Sequence, residues 1–261
     1  MNQSILTTAE IEQISAWVRE AGQGALGRQK QAAYQVKADE SPVTDADLWV
    51  DGFIRERLAA AFPQIRLLTE ESGLGKEGGA YSWVLDPIDG TRSFMNDMPI
   101  WGVSLGLLVE GLPRLGFFYM PAVDEFYLSD GQQAWLNGQP FTPRCAEPRA
   151  PAAFLAVPSN AHLRYDFSAR MVRSMGAVAA HFTYLARGAA VGVLADGVYL
   201  WDLAGVLPLA FACGIRLEYL DGEEFHPEVY QDGSAIRRPL LAAYPQHLAA
   251  VRALIQAKRS G

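Results

Sequence analysis

The chain of 261 residues is poor in cysteine and has no long hydrophobic run. Its two cysteines, Cys145 and Cys213, stand far apart without CxxC spacing, which excludes a disulfide framework and a zinc knuckle. We expect both to be small apolar residues in a reducing compartment. The segments Gly102–Val109 and Leu207–Ile215 are too short to cross a bilayer, and Met1–Glu10 lacks a signal-peptide pattern. The sequence therefore predicts a cytoplasmic protein without a membrane partner.

Positive charge is also scarce, since 22 lysines and arginines stand against 29 aspartates and glutamates and the net charge is −7. A protein that binds a nucleic-acid backbone presents a basic face, so this balance argues against a nucleic-acid partner. The apolar fraction of 50% and the charged fraction of 20% exclude wholesale disorder. The composition is compatible with one large or two small folded domains and with an acidic site that holds cations.

The spacing of apolar residues predicts helices and strands arranged in layers. A capping box at Thr7–Glu10 opens a first helix that ends among Gly22, Gly24 and Gly27. An exposed connection over residues 31–43 leads to a second helix, capped by Thr44, with a buried face of Val50, Ile54, Leu58 and Ala61. Extended segments are predicted at Ile65–Leu68, Tyr81–Leu85, Val103–Val109, Leu115–Tyr119, Glu125–Leu128, Phe154–Val157 and Ile215–Leu220. Further helices are predicted at Leu163–Met175, through Tyr184–Ala186, at Leu203–Cys213, and around Leu248, Val251, Leu254 and Ile255.

Two glycine motifs match the signatures of unrelated activities. Gly22–Gly27 has the pattern G-x-G-x-x-G, but an amphipathic helix precedes it where a dinucleotide-binding site has a strand. Gly102–Gly106 has the pattern G-x-S-x-G, but an extended run follows Ser104 where a nucleophile elbow turns into a helix. A serine hydrolase built on Ser104 remains an alternative, with its base among His162, His181, His226 and His247.

Acidic residues concentrate in four short segments, which are Val43–Asp47, Thr69–Gly73, Asp86–Thr91 and Trp201–Gly205. Asp86 and Asp89 directly follow an apolar strand, where a carboxylate carries a large desolvation cost unless it is paired or bound to a metal. No lysine or arginine lies between Asp86 and Thr91. Two carboxylates and a backbone carbonyl in this tight connection could therefore converge on a hard cation such as Mg²⁺.

The other acidic segments allow both a cation-binding and a structural interpretation. Glu70 follows the preceding strand, and adjacent strands would place it near Asp86, where two like charges repel unless a divalent ion lies between them. Asp202 stands at the start of a helix and could simply cap it. Asp47 could be the acid of a capping box, and Glu71 could be a surface charge.

Taken in order, these segments resemble the inositol monophosphatase family of Mg²⁺-dependent, lithium-sensitive phosphomonoesterases. Asp86–Thr91 (DPIDGT) resembles the most specific signature of the family, and Trp201–Gly205 (WDLAG) resembles its second signature. The similarity runs from Thr7 to about Tyr244. It implies an α+β or α/β fold, the layered α-β-α-β-α sandwich of the inositol monophosphatase and fructose-1,6-bisphosphatase type. It also implies a homodimer that acts on a small phosphorylated metabolite.

The resemblance implies a role for each acidic residue in a site with two to three Mg²⁺ ions. Glu70, Asp86 and the Ile88 carbonyl would hold the first metal. The second would be held by Asp86, Asp89 and Asp202, and Glu70 would contribute to a weaker third site. The catalytic residues would be Asp47, Glu70 and Thr91, with Asp47 and Thr91 orienting and deprotonating the attacking water. Phosphate and substrate would be bound by Asp89, Gly90, Thr91, Arg92, Ala195 and Asp202.

The Pro-, Arg- and Ala-rich stretch Phe141–Ala152 predicts a boundary between two subdomains. Residues 1–145 would form an N-terminal α+β subdomain with most of the metal ligands. Residues 146–261 would form a C-terminal α/β subdomain with Asp202 and the substrate wall.

The substrate-facing positions depart from the family pattern. Ala195 stands six residues before Trp201, where members that hydrolyse inositol phosphate usually have a glutamate that contacts the ring hydroxyls. Ala177–Ala179 replaces a segment that usually contains Gly-Ser or Gly-Thr. Arg92-Ser93 is typical of members that act on histidinol phosphate, although a basic residue at the first position also occurs in those that cleave adenosine 3′,5′-bisphosphate.

The sequence therefore predicts a Mg²⁺-dependent phosphatase, a phosphoric monoester hydrolase acting on an inositol phosphate, histidinol phosphate or a sugar or polyol phosphate. The alternative is a metal- and phosphate-binding regulatory protein with little or no turnover.

Overall fold

A computed structural model describes residues 6–38, 40–75 and 79–258 of the chain. Its helices are α1 (Thr8–Arg28), α2 (Asp45–Ala61), α3 (Thr91–Met95), α4 (Val178–Ala186), α5 (Leu200–Ala204), α6 (Leu207–Ala212) and α7 (Leu248–Arg252). Its strands are β1 (Tyr34–Val36), β2 (Pro42–Thr44), β3 (Arg66–Thr69), β4 (Gly73–Leu74), β5 (Tyr81–Asp89), β6 (Gly102–Val109), β7 (Leu112–Met120), β8 (Glu125–Ser129), β9 (Ala134–Leu136), β10 (Gln139–Pro140), β11 (Phe154–Ala156), β12 (Tyr165–Phe167), β13 (Val172–Arg173), β14 (Ala190–Ala195), β15 (Arg216–Tyr219), β16 (Leu240–Ala243) and β17 (Ile255–Ala257).

The helices and the two main sheets stack as five layers. The larger sheet has eight strands in the order β10-β9-β8-β7-β6-β5-β3-β4, with α1 and α2 on one face and α5 and α6 on the other. The smaller sheet has five strands in the order β13-β11-β14-β16-β15, with α4 on its inner face and α7 on its outer face. The predicted α-β-α-β-α layering is therefore present.

Strand β5 shows why the sequence produces these layers. Trp83 and Leu85 belong to the core cluster formed with α1 and α2, whereas Val84 packs with α5 on the opposite face. Successive side chains of a strand point to opposite faces, so a strand covered by helices on both sides is apolar throughout. The apolar run before Asp86 is this doubly covered strand.

Helix α5 lies unusually close to the larger sheet because glycines face each other across the contact. A Cβ atom at Gly106 would collide with the Ala204 carbonyl, and one at Gly116 would collide with the Gly205 carbonyl. A Cβ atom at Gly205 would in turn collide with the Ser104 hydroxyl. The Gly102–Gly106 motif thus belongs to a helix–sheet contact, and β6 runs without a break past Ser104 to Val109.

The first helix begins as predicted but does not end among its glycines. Thr7 and Glu10 form the capping box, and α1 continues through all three glycines to Arg28. A Cβ atom at Gly22 would lie 2.6 Å from the Tyr119 ring, and one at Gly24 would collide with Trp49. These two glycines allow close packing, and they do not terminate the helix.

Several other predicted boundaries need correction. Ala61 is exposed, and Phe62 is buried in its place. The connection over residues 31–43 contains the hairpin strand β1 and most of β2. The predicted helix Leu163–Met175 is wrong, because β12 pairs there with β17 and β13 pairs with β11. The predicted helix Leu203–Cys213 is interrupted after Ala204, and the last helix ends at Arg252, so that Ile255 starts β17.

The two cysteines differ in their exposure. Cys213 is buried, as expected of a small apolar residue, but Cys145 is exposed, and both are free thiols. Within the described ranges, no helix combines the length and the apolar character needed to cross a membrane.

Candidate active site

Strand β5 contains two aspartates, Asp86 and Asp89, whose carboxylates lie on one side of the larger sheet. Asp86 pairs with Ser104 of β6 and Asp89 pairs with Gly102, so β5 has one more residue than β6 between these two pairs. A bulge of this kind bends the strand and turns side chains that would otherwise alternate. Asp86 and Asp89 therefore approach each other, and both are buried with 2% of their surface exposed.

Asp202 of α5 completes a group of three carboxylates. One oxygen from each of Asp86, Asp89 and Asp202 lies within 4.8 Å of the others. Asp202 Oδ2 also accepts a hydrogen bond of 2.6 Å from the Tyr199 N–H, which confirms the capping interpretation. The sequence prediction that these three residues lie together agrees with this geometry.

The electrostatics of the group suit a cation. Burial raises the pKa of Asp86 and of Asp202 well above the usual range, and it raises the pKa of Asp89 to about 7, with neighbouring carboxylates adding to each shift. Asp86 Oδ1 is buried and has no hydrogen-bond partner among the described residues. A set of donors made only of oxygen, with one of them orphaned, fits a hard divalent ion such as Mg²⁺.

Asp89 is held in place by the other half of the chain. Its two oxygens accept hydrogen bonds of 2.8 Å from the N–H groups of Val178 and Ala179, at the first turn of α4. The segment Ala177–Ala179 thus contributes to the site through backbone donors, whatever its side chains. Gly90 has a φ of 93°, and a Cβ atom there would lie 3.0 Å from the Ala177 Cβ, so a glycine is required.

Asp47 contacts both Thr44 and Thr91, the two partners that the sequence analysis considered for it. Its Oδ2 accepts a hydrogen bond of 2.8 Å from the Thr44 N–H, which completes the capping box of α2. Its Oδ1 lies 3.3 Å from the Thr91 hydroxyl, which is also 3.2 Å from the Ile88 carbonyl. Burial raises the pKa of Asp47 to about 6, although the hydrogen bonds from Thr44 oppose this shift.

Glu70 lies beside this group, but its carboxylate has another partner. The Glu70 N–H donates to the Leu85 carbonyl at 3.2 Å, next to Asp86 in β5, as the parallel pairing of β3 and β5 predicts. Lys37 Nζ lies 2.9 Å from Glu70 Oε1 and 2.7 Å from Glu71 Oε1. Burial would lower the pKa of Lys37, but the hydrogen bonds and charges of both glutamates raise it.

The ion pair of Glu71 and Lys37 was not predicted from the sequence. Glu71 is no surface charge, because only 4% of its side chain is exposed and burial raises its pKa to about 7. Lys37 lies in the hairpin between β1 and β2, far from the glutamates in the sequence. No local pattern marks it as their partner.

The predicted substrate-binding positions differ in their exposure. Gly90 and Thr91 begin α3 next to the carboxylates, and Arg92 is exposed. Ile88 and Ala195 are each 1% exposed, so the Ala195 side chain presents almost no surface to a ligand. Two other polar side chains in the second half of the chain already have partners. The Arg187 guanidinium donates a hydrogen bond of 2.6 Å to Glu125, and the Tyr199 ring stacks on the Trp201 ring with 4.5 Å between their centroids.

Ser104 does not have the geometry of a nucleophile. It is fully buried in the middle of β6, with no turn into a helix after it. The serine-hydrolase alternative therefore loses its structural basis.

Comparison with known proteins gives related sequences and folds. A histidinol-phosphatase of Chlorobaculum parvum is 34% identical over 227 residues, which cover 79% of this chain and 85% of the relative. An inositol-1-monophosphatase of Mesorhizobium japonicum is 27% identical over 245 residues, with coverages of 86% and 91%. The structure of an IMPase from Thermotoga maritima matches with a TM-score of 0.80 over 95% of this chain and 96% of the other, at 19% identity, which shows the fold.

These relatives, together with the layered fold and its cluster of buried carboxylates, define the class: the chain is a phosphatase, a phosphoric monoester hydrolase. A sequence model described as the inositol monophosphatase family matches residues 3–256. The chain belongs to that family.

Proposed function

We propose that this phosphatase hydrolyses small phosphate monoesters with two to three Mg²⁺ ions, and that histidinol phosphate is its leading substrate. The observation that carries the proposal is the convergence of Asp86, Asp89 and Asp202 beside the Asp47–Thr91 contact. The choice of substrate is supported by Arg92-Ser93, by the alanine at position 195, and by the histidinol-phosphatase among the relatives. Inositol phosphate and sugar or polyol phosphates are the other candidates.

The proposed cation ligands are the carboxylates of Glu70, Asp86, Asp89 and Asp202 and the Ile88 carbonyl. Bound Mg²⁺ would lower the pKa of an attacking water and stabilise charge on the leaving oxygen. Glu70 would have to exchange its contact with Lys37 for a cation.

The Asp47–Thr91 pair would orient the attacking water and take its proton. The Thr91 hydroxyl lies close enough to Asp47 to pass a proton to its carboxylate. A general base works best when its pKa lies near the working pH, and a pKa of about 6 suits Asp47 to this task. The N–H groups of Gly90 and Thr91 would receive the phosphate oxygens.

The test is phosphate release from a panel of monoesters, with and without Mg²⁺ and then with lithium. The panel contains histidinol phosphate, inositol-1-phosphate, fructose-1,6-bisphosphate, glycerol-2-phosphate and adenosine 3′,5′-bisphosphate. We expect Mg²⁺-dependent release that lithium suppresses, with the highest kcat/KM for histidinol phosphate.

Two variants give the panel its control. Asp89→Asn should abolish release, whereas Asp45→Asn, which changes an exposed acid at the start of α2, should keep it. Release that persists in Asp89→Asn would contradict the proposed site. Mg²⁺ binding without release from any ester would favour the regulatory protein, an alternative that the altered substrate-facing segments motivate and the Asp47–Thr91 contact opposes.

We also propose a cytoplasmic homodimer whose protomers contain subdomains at residues 1–145 and 146–261. Light scattering after gel filtration tests the dimer. Limited proteolysis tests the boundary, since cleavage between residues 141 and 152 should give two fragments that remain associated.

A further inference from the structure

Ser104 lies directly opposite the carboxylate Asp86. The two residues are partners in the antiparallel register of β5 and β6, so their side chains extend from the same face of the sheet. The Cβ atoms of such partners are typically about 4.5–5.5 Å apart. This pair is the last regular one before the bulge that brings Asp89 to the site.

Both side chains contain a buried polar atom without a partner. Ser104 Oγ and Asp86 Oδ1 have no hydrogen bond to any of the described residues, and Ser104 is 0% exposed. A buried hydroxyl left unpaired costs about 1–3 kcal/mol, so such groups are rare in folded proteins. Here two unpaired buried atoms, a hydroxyl oxygen and a carboxylate oxygen, belong to residues that are partners in one pair of strands. A common explanation is therefore needed for both.

Packing alone does not explain a hydroxyl at this position. Helix α5 lies directly over Ser104, so close that a Cβ atom at Gly205 would collide with Ser104 Oγ. The space therefore requires a small side chain, and alanine would fill it without an unpaired oxygen. A serine is needed only if its hydroxyl has a partner in the working protein.

We propose that Ser104 is a positioning residue that donates a hydrogen bond to the Asp86 carboxylate when a divalent cation is bound. The inference rests on the proposed function, because it concerns a ligand of the proposed metal site. Rotation about the Ser104 Cα–Cβ bond would turn the hydroxyl away from Gly205 and towards its register partner Asp86. The hydrogen bond then fixes the Asp86 oxygen lone pairs in the orientation that the cation requires, as partners of metal ligands do in other sites.

Two measurements, both starting from metal-free protein, separate this role from a purely structural one. The first is the Kd for Mg²⁺ by titration calorimetry, and the second is the melting temperature in EDTA. For Ser104→Ala we expect a Kd about 10–100-fold higher than that of the wild type. Its melting temperature in EDTA should be equal or higher, because the variant removes an unpaired buried hydroxyl.

Ser129→Ala is the matched control, since Ser129 is 1% exposed and lies in β8, two strands removed from β6. Its hydroxyl donates to the Gln133 carbonyl at 2.7 Å, so this variant should melt earlier in EDTA and keep the wild-type Kd. An unchanged Kd in Ser104→Ala, with Mg²⁺ binding normally to the wild type, would overturn the role of Ser104 alone. A wild type that binds no Mg²⁺ would overturn the proposed function and this inference with it.

Discussion

Asp47 uses its two carboxylate oxygens for different purposes. One oxygen completes the capping box of α2 with Thr44, and the other faces the Thr91 hydroxyl. A local sequence pattern indicated the capping role of Asp47, and the family resemblance implied its contact with Thr91. The sequence offered no reason to choose between the two roles. The structure makes the choice unnecessary, since a carboxylate has enough lone pairs for both contacts.

Replacement of Thr91 should show whether its hydroxyl contributes to catalysis. Thr91→Val removes the hydroxyl at nearly constant volume, and we expect kcat to fall at least about 100-fold, the usual loss when proton transfer is disabled. Thr91→Ser keeps the hydroxyl and should stay within about tenfold of the wild type. Steady-state kinetics at saturating Mg²⁺ measure both, and a Thr91→Val enzyme with wild-type kcat would contradict the role of Thr91.

His181 should make the stability of the metal-free protein depend on pH. It is 2% exposed, its Nε2 accepts a hydrogen bond of 3.0 Å from the Met175 N–H, and burial lowers its pKa to about 4. Between pH 4 and the unfolded pKa near 6.5 this histidine binds more protons in the unfolded chain than in the folded one, so its own contribution to stability is full above pH 6.5 and is lost as the pH falls. The contribution is up to about 1.4 kcal/mol per pH unit.

Urea unfolding in EDTA across this pH range measures the effect. The difference in unfolding free energy between the wild type and His181→Gln should decrease as the pH falls from 6.5 to 4. His162→Gln, which changes an exposed histidine, should leave the slope unchanged. Equal slopes in all three proteins would show that His181 does not carry the effect.

At the scale of elements, the glycines of α1 show how tertiary packing replaces local preference. The sequence predicted a helix end because glycine is a poor helix former. Gly22 instead allows the helix to approach Tyr119, whose hydroxyl accepts a hydrogen bond of 2.6 Å from Gln23. A Cβ atom at Gly27 would meet none of the described residues within 4 Å, so this glycine has no such packing role.

Two alanine substitutions in the same helix should therefore have opposite effects. Gly22→Ala should lower the unfolding free energy by about 1–3 kcal/mol, because its Cβ would press on a buried ring. Gly27→Ala should raise it by about 0.4–1 kcal/mol, because alanine restricts the unfolded chain and fits the helix. Urea unfolding of both variants checks this, and destabilisation of similar size in both would contradict the packing argument.

The elements that the sequence predicted well are those with a strong local signal. The capping boxes at Thr7 and Thr44 and the doubly covered strand β5 fall into this group. Residues 163–175 were misassigned because their strands exist only through pairing with β17 and β11, which are distant in sequence. The helix predicted over 203–213 breaks near Gly205, where close contact with the larger sheet decides the path.

At the scale of the whole molecule, the site depends on contacts between distant parts of the chain. The resemblance located Asp86, Asp89 and Asp202 because they belong to recognisable motifs. It did not locate the amides of Val178 and Ala179, since backbone donors leave no signature in a sequence. The clustering of the three carboxylates was therefore predictable from the sequence, whereas the backbone groups that hold Asp89 were not.

Binding of Mg²⁺ should stabilise the complete protein, since the cation pairs with carboxylates that repel each other. At a free concentration of 100 times Kd the gain is about 2.7 kcal/mol, which for a chain of this size raises the melting temperature by roughly 5–10 °C. Asp202→Asn keeps an oxygen for the Tyr199 N–H but removes a charge, and it should abolish most of the rise. Thermal unfolding with Mg²⁺ and with EDTA measures it, and a full rise in Asp202→Asn would place the cation elsewhere.

The hydrogen bonds from the Val178 and Ala179 N–H groups to Asp89 also set the order in which a newly made chain can complete its site. A ribosome that has released β5 has supplied Asp86 and Asp89, but it has yet to translate the amides at positions 178 and 179 and the carboxylate of Asp202. The three carboxylates of the proposed cation site would therefore come together only after the second half of the chain has been translated. Cation binding would then stabilise only finished molecules, so truncated translation products would be left unprotected and open to proteolysis.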